Sequence, residues 1–549
     1  MSYITGGQVV AKALKEQGVT HLFTLCGGHI QSIYDGCLDR EIRVVDVRHE
    51  QSAAHAADGW ARVTGQPGVA AVTAGPGVTD TVTAVANAMR AQVPLVLLGG
   101  QGSTIYGPMG GQDRGALQEM NHVELMRSIT KWSVTVPETR RIAEYIQSAF
   151  RVAVSGVPGP VFLELPINIL MDSVDDGDLV TFTGSPTVPA TMGDVRSVEK
   201  AATLLRQAHK PVLIVGSQYR WSRHLEGLVE LLTSAALPTY FNGMARGVMQ
   251  PDTPGVFRRS RSKALQESDL VLIFGTPMDF RLGYGEKIPT GAEVIQVDLD
   301  AGEIGRNRMV DVGIAGDMGL VMGQLAKVLG PGRLTWPQWM ETVQSLEDSM
   351  AAVTNDQAQS NELPVNPLRL AAEINRFVDS NTIVIGDGGD FVASASYMLD
   401  VHGMGNWMDP GPLGTLGVGT GYAMAAKLAR PDHNVILVMG DGTFGFNGME
   451  FEAMVRQGIK VTGIIGNDAR WTQIYRFQKQ MYGEHRTVAT KLAHTRYDKM
   501  VEALGGHGEY VETIEELAPA LERAMRSPVA SLVNVKIGST DFRDGSISV

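Results

Sequence analysis

Cysteine and long apolar runs are scarce in this sequence, and each scarcity argues against a class of protein. Only Cys26 and Cys37 occur, and their spacing fits neither a disulfide framework nor a zinc or CxxC site. No apolar run approaches the roughly 18 residues that a membrane span needs. The first residues read as an amphipathic helix rather than an export signal. We therefore expect neither export nor membrane anchoring, and a cytoplasmic location.

Positive charge is also in deficit. The chain has 47 Lys and Arg against 59 Asp and Glu, a net charge of −12, which argues against a nucleic-acid or anionic-membrane surface. Aromatic residues make up only 6% of the sequence, but 44% of it is hydrophobic and 63 residues are glycine, as expected of a globular protein with many tight turns. A small-molecule substrate is therefore the favoured partner.

Short apolar runs alternate with helical patterns along the whole chain. This alternation predicts an α/β fold made of doubly wound parallel sheets. The chain of 549 residues is too long for a single hydrophobic core. Three domains are expected, at residues 1–173, 193–335 and 365–549. Loose or polar stretches separate them, the first near 174–192. The first and third domains share an element order, as two related domains facing each other across a site would.

The strongest chemical signal lies between residues 434 and 471. The apolar run NVILVM ends at Gly440-Asp441-Gly442, a helical stretch follows, and the run KVTGIIG ends at Asn467-Asp468. Such a βαβ unit makes the two strands parallel, so Asp441 and Asp468 should meet at one sheet edge. Carboxylate oxygens suit Mg²⁺ shared with a diphosphate, which the flanking glycines let approach closely.

Two further signals come from outside this unit. The run IRVVDVRHE predicts a strand ending at Glu50, where ligands of parallel sheets bind. In the second domain RRSRSKALQ precedes a strand, and Arg258, Arg261 and Lys263 in it, with Arg281 further on, are candidates for contact with phosphate groups. The alternative for each of these cations is a solvated helix face.

The GDG motif followed by an Asn-Asp pair is similar to the metal-diphosphate signature of thiamine-diphosphate enzymes. From end to end the chain resembles the acetolactate-synthase superfamily of these enzymes, in stretches such as TLCGGHI, VVDVRHE, DPGPLGTLGVG and GNDARWTQI. The Asn-Asp pair and the C-terminal TDFRDGSISV are similar to its 2-hydroxyacyl-CoA lyase branch, and the His29 turn resembles that of benzaldehyde lyase. The resemblance implies pyrimidine-binding, central and diphosphate-binding domains, in that order.

The resemblance also implies a cofactor, thiamine diphosphate with Mg²⁺, and a role for each matching residue. Asp441, Asp468 and the carbonyl of Arg470 would bind the metal, although the family normally has Asn where Asp468 stands. Glu50 would hydrogen-bond the aminopyrimidine, and His29 and Gln118 would move hydroxyl protons. The remaining cofactor contacts would fall on Gly388, Gly389, Leu416, Gly440, Gly442, Thr443 and Trp471.

The implied reaction is reversible cleavage of a 2-hydroxyacyl-CoA to formyl-CoA and an aldehyde or ketone. Three alternatives stay open: a decarboxylating carboligase acting on 2-oxo acids, an acyloin lyase, and a catalytically silent regulatory subunit. A relic ADP or FAD in the central domain is a further possibility. Relatives place their active sites between subunits, which implies a homodimer or homotetramer, and the polar C-terminus is a candidate cover for the site.

Overall fold

The structure, a computed structural model, describes residues 3–104, 115–180, 189–540 and 542. The described chain contains three six-stranded sheets, all parallel, which confirms the predicted α/β class. It divides into two compact units. Unit 1 comprises Met1–Val188, Pro410–Pro431 and Phe446–Ile459, and unit 2 comprises Pro189–Asp409, Asp432–Gly445 and Lys460–Val549.

The sheet of unit 1 has the strand order β3-β2-β4-β5-β7-β6. The elements of this region are β1 (Tyr3–Thr5), α1 (Gly6–Glu16), β2 (His21–Thr24), α2 (Gln31–Asp39), β3 (Arg43–Asp46), α3 (Glu50–Thr64), β4 (Gly68–Val72), α4 (Pro76–Thr79), α5 (Val82–Ala91), β5 (Leu95–Gln101), α6 (His122–Arg127), β6 (Trp132–Thr135), α7 (Ile142–Val154), β7 (Pro160–Pro166), α8 (Ile167–Met171) and β8 (Ser173–Asp175). Strands β1 and β8 pair antiparallel beside it.

The central sheet belongs to unit 2 and has the order β11-β10-β9-β12-β13-β14. Its region contains α9 (Val195–Gln207), β9 (Pro211–Val215), α10 (Glu226–Ser234), β10 (Thr239–Phe241), β11 (Val256–Phe257), α11 (Arg261–Glu267), β12 (Leu270–Phe274), β13 (Glu293–Asp298), β14 (Val312–Ala315), α12 (Met318–Leu329) and α13 (Pro337–Ala358). Helix α13 lies in the polar stretch between the expected second and third domains, at residues 193–335 and 365–549.

The third sheet, also in unit 2, has the order β16-β15-β17-β18-β20-β19. The C-terminal region contains α14 (Pro367–Asn375), β15 (Thr382–Asp387), α15 (Asp390–Ala395), β16 (Trp407–Met408), α16 (Gly419–Ala429), β17 (Asn434–Gly440), α17 (Asp441–Asn447), α18 (Glu450–Arg456), β18 (Thr462–Asn467), α19 (Thr472–Tyr482), α20 (Tyr497–Ala503), β19 (His507–Val511), α21 (Ile514–Arg526) and β20 (Ser531–Lys536). Helices α16 and α18 fall in unit 1.

Continuous apolar runs identified the inner strands other than the short β10, and the outer strand β3 as well, but not the remaining outer strands of the described sheets. Strands buried on both faces, such as β4 and β12, read as unbroken hydrophobic sequence. The outer strand β6 is half-exposed and includes a serine and a threonine, and β14 (VGIA) alternates buried and exposed residues over only four positions, so neither gives such a signal. Among the described residues, no helix is both long and apolar enough to cross a membrane.

In each six-stranded sheet the direction in which strands are added reverses after the first two or three strands, and this reversal leaves a crevice beyond the carboxyl ends of two strands. The reversal lies between β2 and β4, between β9 and β12, and between β15 and β17. Ligands of open α/β sheets bind at such points. Residues 181–188, within the expected first linker, and most of TDFRDGSISV lie outside the described residues.

Candidate active site

Glu50 follows the carboxyl end of β3, but not as the last residue of the strand. The strand ends at Asp46, and Glu50 is the first residue of α3. The reason is the turn between them, in which the amides of Arg48 and His49 bond to a side chain rather than to the neighbouring strand. Both carboxyl oxygens of Glu450, on α18, accept the Arg48 N–H at 3.0 Å, and the same carboxyl accepts from the amide of His49.

Glu50 is half-buried, and its surroundings favour the protonated carboxyl. Burial is the largest cause of its raised pKa, and the negative charge of Asp80 adds to it, while His49 opposes it. The side chains of His49, Glu50 and Asp80 bring their polar atoms within 4.8 Å of one another. A carboxyl group that retains a proton near neutral pH is what proton exchange with a heterocycle requires.

Glu450 was not predicted, although it holds the turn that leads to Glu50. Its side chain is buried, and burial raises its pKa to about 7, against hydrogen bonds from Ser52, Arg48 and His49 that lower it. A glutamate in a helical pattern gives no sequence signal for this role, because its partners are about 400 residues away in the chain.

The raised pKa of Glu450 predicts a specific pH dependence of stability. Between the ordinary pKa of 4.5 and the folded value of about 7, the unfolded chain has lost this proton while the folded chain retains it. The free energy of unfolding should therefore fall across that range, by on the order of 2–3 kcal/mol from this group. Glu450→Gln should remove this part of the pH dependence. Urea unfolding of the wild type and the variant at pH 5 and pH 8 measures the change in the free energy of unfolding. An equal change in the two proteins would contradict the prediction.

His29 and Gln118 lie on either side of Thr73, which the sequence did not single out. The Nδ1 atom of His29 lies 3.0 Å from Thr73 Oγ1, and that hydroxyl lies 3.4 Å from Gln118 Oε1. Burial lowers the pKa of His29, which a hydrogen bond to the Leu117 carbonyl partly offsets. A neutral imidazole beside two polar side chains is suited to accepting and returning a hydroxyl proton.

Asp441 and Asp468 lie together at one edge of the third sheet, as the sequence predicted. They follow β17 and β18, which pair in parallel with Gly440 opposite Gly466. Burial, and then the negative charge of Asp468, raise the pKa of Asp441 to about 7, and burial raises that of Asp468 to about 6. The Arg470 amide reaches the Asp441 carboxyl, so the two loops converge.

The residues at this edge fit a divalent metal. Asp441 Oδ2 is buried and has no hydrogen-bond partner among the described residues, whereas its Oδ1 accepts the Gly442 amide at 2.9 Å. Asp468 accepts a short hydrogen bond from Thr472. Because a buried carboxylate without a partner is costly, a hard cation bound by these oxygens explains the arrangement.

The glycines at this edge pack so closely against neighbouring atoms that a side chain would not fit. A Cβ on Gly388, which has φ +146°, would lie 3.1 Å from the Thr443 hydroxyl and 3.2 Å from the Gly440 amide. One on Gly442 would lie 2.5 Å from the Trp471 ring, and one on Gly389 would lie 3.2 Å from Gln473 Cβ. The protein's own packing therefore requires glycine at these three positions.

The remaining candidates are Leu416 and the four cations of the central region. Leu416 is half-buried just before α16, in unit 1. Arg258 pairs with Asp400 at 2.7 Å. Arg281 pairs with Asp279 at the same distance. Two more cations complete the set: Arg261, which donates to the Arg281 carbonyl, and Lys263, which is exposed.

Sequence models of one enzyme family match all three sheet regions. The N-terminal thiamine-pyrophosphate-binding domain of thiamine pyrophosphate enzymes matches residues 4–125, the central domain matches 198–325, and the C-terminal thiamine-pyrophosphate-binding domain matches 387–535. The chain belongs to the thiamine pyrophosphate enzymes. Thiamine diphosphate is therefore its cofactor, and the resemblance found in the motifs is confirmed.

Curated relatives extend over nearly the whole chain. An acetolactate synthase large subunit of Mycobacterium tuberculosis is 39% identical over 530 residues, covering 96% of this thiamine pyrophosphate enzyme and 95% of the relative. The 2-hydroxyacyl-CoA lyase 2 of Bos taurus is 38% identical over 595 residues, covering 99% of this chain and 92% of the relative. The human 2-hydroxyacyl-CoA lyase 2 is 36% identical over 590 residues, with the same coverage.

Proposed function

We propose that this enzyme is a magnesium-dependent carbon–carbon lyase, reversible as an acyloin-type ligase, that cleaves 2-hydroxyacyl-CoA to formyl-CoA and an aldehyde or ketone. The observation that carries the proposal is the His29, Thr73 and Gln118 group at the reversal point of the N-terminal sheet. A substrate whose hydroxyl must lose a proton during bond cleavage needs such a group. The lyases of cattle and man among its relatives support the same substrate class.

Some of the assigned residues bind the cofactor and its metal, and others transfer protons. Asp441, Asp468 and the Arg470 carbonyl hold Mg²⁺, while the Gly388 and Gly442 backbone admits the diphosphate. When bound, thiamine diphosphate supplies an electron sink for a bond that breaks next to a carbonyl.

Two side chains are assigned the proton steps. Glu50 keeps a proton for the aminopyrimidine because burial and Asp80 raise its pKa. His29 takes the substrate hydroxyl proton, since burial holds the imidazole neutral.

The CoA nucleotide is assigned to the carboxyl edge of the central sheet. Arg258 follows β11 and Arg281 follows β12, so both stand at the edge where such sheets bind ligands. Phosphates there would compete with Asp400 and Asp279 for the two guanidinium groups. Arg261 and Lys263 complete the assigned set.

A bound ADP or FAD is assigned, if present, to the reversal point between β9 and β12. Asp298, the last residue of β13, is buried, and burial raises its pKa to about 6. Its Oδ1 accepts from Gln218 at 2.8 Å, and Oδ2 has no hydrogen-bond partner among the described residues. Ribose hydroxyls are suitable donors to such a carboxyl group.

Product analysis tests the proposed reaction. Purified enzyme with thiamine diphosphate and Mg²⁺, given a panel of 2-hydroxyacyl-CoAs, should release formyl-CoA, detected by mass spectrometry. The mycobacterial relative favours a second candidate, a decarboxylating carboligase on 2-oxo acids. Turnover of pyruvate without any formyl-CoA would establish that candidate, and acyloin cleavage without CoA would indicate a benzaldehyde-lyase-like enzyme. Failure of all three would leave a silent regulatory subunit.

The enzyme is further proposed to be a homodimer or homotetramer with active sites between subunits. Ile474, Phe477 and Met481 are exposed at spacings of three and four along α19, the helix that follows the Asp468 loop. A continuous apolar stripe on a surface helix favours burial against another subunit.

Mixing two inactive variants tests the shared site. Glu50→Gln and Asp441→Ala subunits, co-expressed with different tags, should form mixed dimers in which one of the two sites has both residues intact. Tandem-purified mixed dimers should then recover about half of the wild-type activity. Co-expression of two differently tagged Glu50→Gln subunits is the matched control and should stay inactive. No recovery in the mixed dimers would place each site within one subunit.

A further inference from the structure

A buried polar cluster lies next to the His29, Thr73 and Gln118 group and has no role in the proposed function so far. His122 and Glu164 are both completely buried, and Gln101 is nearly so. His122 Nδ1 lies 3.0 Å from Glu164 Oε1, and Gln101 Nε2 donates to the same oxygen at 2.8 Å. Thr135 donates to the other carboxyl oxygen. Three donors around one carboxyl group identify it as a buried carboxylate.

The partners of His122 fix the position of its proton. The Gly75 amide donates to His122 Nε2 at 2.8 Å. A backbone N–H is only a donor, so Nε2 carries no proton and Nδ1 carries the single proton of the neutral ring. That proton points at the Glu164 carboxylate, which stabilises this tautomer. The ring is therefore held on one side by the carboxylate and accepts a hydrogen bond from Gly75 on the other.

Gly75 is the point at which this cluster reaches the proposed active site. Its φ of +60° is one that glycine adopts readily, and a Cβ there would lie 2.8 Å from Gln118 Cβ. Thr73, two residues earlier, contacts both His29 and Gln118. The position of the turn over residues 73–75 therefore sets the spacing of the two proton-handling side chains.

We propose that His122 is a positioning residue: by accepting the Gly75 N–H it holds the 73–75 turn so that Thr73, His29 and Gln118 are aligned for proton transfer. This inference rests on the proposed function, since it presupposes that His29 and Gln118 act on the substrate. A buried carboxylate and imidazole cost desolvation free energy that an apolar pair of the same volume would not. Packing alone therefore does not account for them.

Two substitutions separate the two hydrogen bonds of His122. The side-chain amide of Gln reaches the Nε2 position, so His122→Gln can still accept the Gly75 N–H but loses the bond to Glu164. The amide of Asn reaches only the Nδ1 position, so His122→Asn can still donate to Glu164 but loses Gly75. Both changes place a neutral amide in the same buried site, which makes each the control for the other.

The expected result is a split between the two variants in kcat. His122→Asn should lower kcat about 10- to 100-fold with little change in KM or in thiamine diphosphate affinity, because a displaced proton-transfer group slows the chemical step. His122→Gln should retain most of the wild-type kcat. Equal kcat values for the two variants, or losses of kcat that follow their thermal stabilities, would overturn the inference.

Hydrogen exchange provides a readout that needs no turnover. The Gly75 amide should exchange faster in His122→Asn than in His122→Gln, followed by mass spectrometry of a peptide covering residues 73–79, and equal protection would also overturn the inference. The kinetic comparison is made on whichever substrate the wild type turns over. Absence of formyl-CoA from the wild type would count against the proposed function, whereas the ratio of the two variants tests only the role of His122.

Discussion

Glu50→Gln should lower turnover by about two to four orders of magnitude while thiamine diphosphate still binds. Glutamine has the shape of the protonated carboxyl group but cannot exchange its proton with the aminopyrimidine. Burial is the main cause that raises the pKa of Glu50, and the negative charge of Asp80 adds to it, so the surroundings favour the protonated carboxyl that this exchange uses. Steady-state kinetics and cofactor titration by tryptophan fluorescence measure the two quantities separately.

The matched control is Glu124→Gln, the same chemical change at an exposed residue of α6. It should leave both turnover and cofactor binding unchanged. Turnover of Glu50→Gln at the wild-type rate would remove Glu50 from the mechanism, and loss of cofactor binding in that variant would assign it a binding role instead.

The second large effect is expected at the metal. Asp441→Asn should weaken magnesium-dependent binding of thiamine diphosphate on the order of 100-fold or more, since it removes an anionic ligand. Asp441 Oδ2 is buried and has no hydrogen-bond partner among the described residues, so we expect this oxygen to be a metal ligand. Isothermal titration with cofactor, with Mg²⁺ or with EDTA, measures the loss.

Asp468→Asn is the informative comparison for Asp441→Asn. Asparagine is the residue that the family normally has at that position, and its amide oxygen remains a metal ligand. The change also removes the negative charge that raises the pKa of Asp441. Cofactor binding should therefore persist in Asp468→Asn and fail in Asp441→Asn; equal losses in both would contradict the assigned difference between the two ligands.

The proximity of Asp441 and Asp468 could be predicted because the sequence signal for it is local. β17 and β18 are buried on both faces, so each reads as a continuous apolar run that stops at a polar residue. Parallel pairing of consecutive βαβ strands then places Asp441 and Asp468 at one edge without any knowledge of distant contacts. Glu50 was found in the same way, although it begins α3 rather than ending the strand.

The arginines that were predicted to bind phosphate show where composition is insufficient. Arg258 and Arg281 stand out in sequence as cations near a strand, but the partners Asp400 and Asp279 that the fold gives them do not. Asp279 is two residues from Arg281, whereas Asp400 is far from Arg258 in the chain. A run of basic residues therefore indicates charge but not whether that charge is available to a ligand.

By itself the sequence determined the α/β class, the inner strands and the acids at their carboxyl ends, because burial on both sheet faces and the order of strand and helix are properties of neighbouring residues. Only the tertiary structure decided which residues support those acids. Thr73, His122 and Glu450 act through hydrogen bonds to His29, Glu164 and Arg48, which lie 44, 42 and 402 positions away along the chain. Such bonds form only when folding brings separate strands and helices together, so no local pattern encodes them.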